Sequence, residues 1–95
     1  MTIPALKAPV FRFRFRNPAP SALNLWIEPL GDQVTIPART TVEVHCTEQL
    51  GHPSELEMSE DGITVHGWVQ SVLAVTESGE LQPLWKLPEA DEIAR

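Results

Sequence analysis

The chain has 95 residues, a net charge of −6, 42% hydrophobic residues and 21% charged residues. This size and balance describe one folded domain with a modest core and argue against a disordered segment. No apolar run exceeds the four residues from Val72 to Val75, far too few to span a bilayer as a helix, and a lone cysteine excludes an internal disulfide framework.

The charge is unevenly placed. Residues 1–45 carry five Lys and Arg against three acids, whereas residues 46–95 carry two against ten. The overall negative field argues against nucleic acid and anionic lipid as partners, and the opposite signs of the two halves favour internal pairing. The first ten residues contain Pro4, Pro9 and no sustained apolar core. They lack a signal-peptide pattern, so a cytoplasmic setting is expected. A single domain over 1–95 is expected, with an N-terminal arm at 1–9 and a C-terminal tail at 86–95.

Period-two alternation dominates what lies between. Phe11, Phe13 and Phe15 alternate with Arg12, Arg14 and Arg16. In a strand this sends phenylalanines inward and arginines outward; a helix would scatter both. Leu25 and Ile27 alternate with Asn24, Trp26 and Glu28, and Val34 and Ile36 with Gln33 and Thr35. Val42, Val44 and Cys46 alternate with Thr41, Glu43 and His45. Residues 54–60 predict a strand through Leu56 and Met58. One helical turn is the alternative, because Ser54-Glu55-Leu56-Glu57 matches a capping box. Ile63, Val65, Gly67, Val69, Ser71, Leu73 and Val75 share one parity along a stretch expected to bend near Gly67 or Gln70–Ser71. A last short strand is expected at 81–85, and the tail after Pro88 is too short to hold a helix without docking.

Turn residues separate these runs. Gly31-Asp32, Asp61-Gly62 and Ser78-Gly79 are hairpin pairs, and Asn17-Pro18-Ala19-Pro20 and Pro37-Ala38-Arg39 are longer breaks. The spacing predicts an all-β fold, a single antiparallel β-sandwich of seven or eight strands with cupredoxin-like or immunoglobulin-like rhythm.

Three groups could carry chemistry. Cys46, His52 and Met58, with His45 and His66, follow the order of a copper site, so a cupredoxin-like copper or zinc protein is one alternative. The earlier, separate histidine of such a site is missing, and adjacent strand residues His45 and Cys46 face opposite ways. No metal and no cofactor is therefore assigned. No nucleophile elbow, metalloprotease helix, phosphate loop or dinucleotide fingerprint occurs, and a non-enzyme is expected. The arginine stripe reads as cross-strand pairing with outward acids such as Glu28, Glu43, Glu55 and Glu57, or as edge protection. Trp26 and Trp68 fall by parity on an outward face with Asn24, Glu28, Thr64, His66 and Gln70, and Trp85 is a candidate for the same patch. Tryptophan among polar groups on a flat sheet suits a protein interface or a sugar ring.

The segments Trp26-Ile27-Glu28-Pro29-Leu30-Gly31-Asp32, Ile36-Pro37-Ala38 and Gly62-Ile63-Thr64-Val65-His66-Gly67-Trp68 resemble the pattern of a family of small uncharacterised bacterial all-β proteins. The likeness covers about residues 13–76 and implies a fold but no known activity. The expectation is a non-catalytic binding or interaction module using Trp26, His66 and Trp68, with a protein partner or self-association. A carbohydrate or small-ligand binder is the second alternative.

Overall fold

A computed structural model describes residues 10–47 and 54–88; the arm expected at 1–9, His52 and the tail beyond residue 88 lie outside them. Eight strands follow in order: β1 (Val10–Arg16), β2 (Leu23–Glu28), β3 (Asp32–Ile36), β4 (Thr41–Thr47), β5 (Glu55–Ser59), β6 (Gly62–His66), β7 (Trp68–Val75) and β8 (Leu81–Lys86). The segment with the capping-box pattern is the strand β5, and Lys86 closes β8 rather than opening the tail. No helix among the described residues is long and apolar enough to cross a membrane.

The strands form two four-stranded sheets, in the orders β1-β4-β7-β8 and β3-β2-β6-β5. The first sheet is antiparallel throughout. The second is mixed, because β2 and β6 run parallel, with Leu25 opposite Ile63 and Ile27 opposite Val65. A parallel pair needs a long crossover, and β3, β4 and β5 supply it.

Alternation builds the core. Leu25, Ile27, Val34, Ile36, Val42, Val44, Cys46, Ile63, Val65 and Val69 are buried between the sheets, as their parity predicts. Phe11, Phe13 and Phe15 face this core but are only half-buried, because β1 is an edge strand; Arg12, Arg14 and Arg16 are exposed. The parity expected for β7 breaks at a bulge. Cys46 lies opposite Val69 and His45 opposite Ser71, so Gln70 is an extra residue and Val72 turns inward in place of Ser71 and Leu73. Leu84 is a second extra residue, between Val72–Trp85 and Leu73–Pro83. Pro83 is tolerated there because β8 is an edge strand.

Two polar contacts tie the architecture together. Trp85, a candidate for the outward patch, instead packs against the core, and its Nε1 donates to Asp32 Oδ2 at 2.9 Å, joining β8 to β3 across the sheets. Asn17 is only 1% exposed. Its Nδ2 donates to the carbonyls of Ser21 at 2.9 Å and Pro37 at 3.0 Å, and its Oδ1 accepts from the Ala19 amide at 3.1 Å. The Asn17 amide donates to the Thr40 carbonyl at 2.9 Å. One side chain thus pins the turn after β1 to the turn before β4. Asn17→Ala removes these hydrogen bonds from a buried side chain and is expected to lower stability by about 1–3 kcal/mol, measured by urea denaturation.

Candidate functional site

The chain passes from the second sheet to the first at Gly67, between β6 and β7. A side chain at this position would meet Ser54, whose Cβ lies 2.8 Å from where the new Cβ would stand, and the Gly67 amide donates to the Glu28 carbonyl at 2.9 Å. Only glycine lets the start of β5 and the end of β2 close on the corner at once. His66 is therefore the last residue of one sheet and Trp68 the first of the other.

Around the corner lies an open cleft of about 600 Å³ lined by Glu28, Pro29, Glu57, Thr64, His66, Gly67 and Trp68. Parallel pairing sets Glu28 beside His66, and antiparallel pairing sets Glu57 beside Thr64. The diagonal neighbours His66 and Glu57 meet, with Nε2 2.8 Å from the accepting Oε1. Trp68 is 40% exposed and forms the aromatic wall. The lining carries two carboxylates and no Lys or Arg.

Of the three residues expected to act together, His66 and Trp68 line this cleft. Trp26 stands on the outer face of its sheet between Gln33 and Thr64, half-buried, and Thr64 separates it from the opening. Pro29 and Glu57 were not singled out as site residues. Glu57 was legible only as a partner for arginine, and nothing in the local pattern brings Pro29 to the corner.

The candidate metal ligands among the described residues remain apart. Cys46 lies in the core, His45 faces the other way, Met58 is exposed on β5 of the opposite sheet, and His66 is held by Glu57. No group of three or more His, Cys, Asp or Glu side chains suited to a metal ion occurs among the described residues. Burial pushes the Cys46 thiol up to about 11, with the Ser54 hydroxyl beside it opposing the shift, so the thiol is a core group. The Ser54 hydroxyl, itself buried, makes no regular hydrogen bond among the described residues.

A second polar cluster lies on the outer face of the first sheet. Glu43, expected outward, is 4% exposed. Arg14 Nε reaches its Oε2 at 2.7 Å from the paired position on β1, and His45 Nε2 lies 2.6 Å from its Oε1. The hydrogen bond from His45, then that from Arg14, holds the carboxyl below the ordinary glutamate value of 4.5. Comparison with known proteins finds no match to any protein-family model, curated sequence or solved structure.

Because Glu43 has a lowered value in the folded protein, the unfolded chain takes up its proton first as pH falls. The stability this contributes is complete above the ordinary value of 4.5 and is lost as pH drops through the lower folded one. Unfolding free energy followed by urea from about pH 6 to about pH 3 should fall more steeply in the natural protein than in Glu43→Gln.

Proposed function

We propose that this chain is a non-catalytic interaction module that engages a protein partner through the corner cleft, with Trp68 and His66 as the contact residues and Trp26 beside them. The observation that carries the reading is the exposure of Trp68 against Pro29 and the His66–Glu57 pair. A large aromatic left wet at the mouth of a cleft gains free energy when a partner covers it. The same wall supports a second reading, a carbohydrate or small-ligand binder. A sugar ring stacks on tryptophan while its hydroxyls donate to carboxylates such as Glu28 and Glu57.

Trp68→Ala tests the first reading, because the residue is partly exposed and its loss leaves the core intact. A partner bound by the natural protein should be held about tenfold or more weakly by the variant, at an unchanged melting temperature. Identical partner binding by both proteins removes the cleft from the interaction. For the second reading, tryptophan fluorescence titrated with a glycan panel should shift in the natural protein only; no response from any glycan removes the sugar.

A further inference from the structure

The sandwich has one tied side and one open side. β3 and β8 touch and share the Trp85–Asp32 hydrogen bond, so the other two terminal strands, β1 and β5, stand on the opposite side. Among the described residues neither has a neighbour along its outer edge. Such edges present free backbone donors and acceptors to any incoming strand.

The two edges are unlike. On β1, half-buried Phe11, Phe13 and Phe15 face inward and Arg12, Arg14 and Arg16 face outward. On β5, Glu55 and Glu57 face outward, paired across from His66 and Thr64. Leu56 and Met58 lie opposite Val65 and Ile63, on the core side of their sheet. They are nevertheless 51% and 79% exposed. An inward-facing leucine and methionine left wet at the end of a sheet are core residues that nothing among the described residues covers.

We propose that this side is the interface of a two-fold dimer, in which β1 of one copy pairs with β5 of a second copy and β5 with β1 in return. A two-fold axis along the strands exchanges the sheets, so each first sheet continues into the second sheet of its neighbour. Outer faces then meet outer faces, placing the arginines of β1 beside Glu55 and Glu57. Inner faces meet inner faces, placing the phenylalanines beside Leu56 and Met58. The competing arrangements pair β1 with β1 or β5 with β5, and each sets like charges against each other. Charge therefore selects the unlike pairing. Arg12 and Arg16 carry most of it, because Arg14 is already engaged by Glu43. The interface goes beyond the cleft reading and does not call on Trp26, His66 or Trp68; it shares Glu57 with the cleft, and because His66 already engages Glu57, Glu55 carries most of the acidic edge.

Sedimentation equilibrium of the full chain, from micromolar to millimolar concentration, tests the proposal. A dimer is expected. Arg12→Glu with Arg16→Glu, both at exposed positions, should weaken it by about a hundredfold. Glu55→Lys and Glu57→Lys added to the same chain should restore it, because the two edges are again complementary. Met58→Lys, at a side chain 79% exposed, should also give monomers while circular dichroism keeps the β spectrum. A monomer throughout, or a dimer indifferent to all these changes, overturns the proposal. So does a dimer lost in Trp68→Ala but kept in Arg12→Glu/Arg16→Glu, which assigns association to the cleft.

Discussion

The approach of Ser54 to Gly67 is the constraint on which most of the molecule depends. Without a side chain at 67, the chain leaves one sheet and enters the other in a single step, while the glycine amide holds the end of β2 through the Glu28 carbonyl. The corner thereby locks three strands together. It also divides the pair His66 and Trp68 between two sheets, and that division opens the cleft. A continuous strand would have kept them two residues apart on one flat face. The candidate site is thus a by-product of how the sheets are joined.

Alternation made much of the fold legible because a strand repeats every two residues, and inward positions must be apolar when one face is buried. The reading held for β1 to β6, including the disputed segment at β5. It failed at β7, where Gln70 slips the count by one and brings Val72 into the core. The bend expected near Gln70–Ser71 falls where this bulge lies, but that Val72 replaces Ser71 and Leu73 in the core follows only from the pairing with β4. The parallel β2–β6 pair was equally invisible, since hydrophobic pattern fixes which face is inward but not the direction of a distant neighbour.

The polar residues were harder to place. Asn17 and Glu43 belong to types that usually face water, and each is buried because one local and one distant set of partners satisfy it together: Ala19 and Ser21 with Pro37 for Asn17, His45 with Arg14 for Glu43. Glu43 was partly legible, since the charge stripe on β1 implied acids across from it. Its burial was not, because that requires Arg14 and His45 to close on the carboxylate from either side. Parity likewise placed His66 and Trp68 on an outward face, and Trp85, a further candidate for that patch, is drawn away by its long-range bond to Asp32. Sequence spacing locates an outward side chain; what gathers outward side chains into one opening is the path of the backbone between sheets.

Pro83 gives the two sides of the sandwich different futures. Having no amide hydrogen, it interrupts the donor row of β8 midway along the strand. The adjoining edge strand β3 has five residues, the same length as β5, so the missing donor of Pro83 is what sets this flank apart. A further chain arriving on β8 would find its donor row broken, and strand addition is disfavoured at that edge.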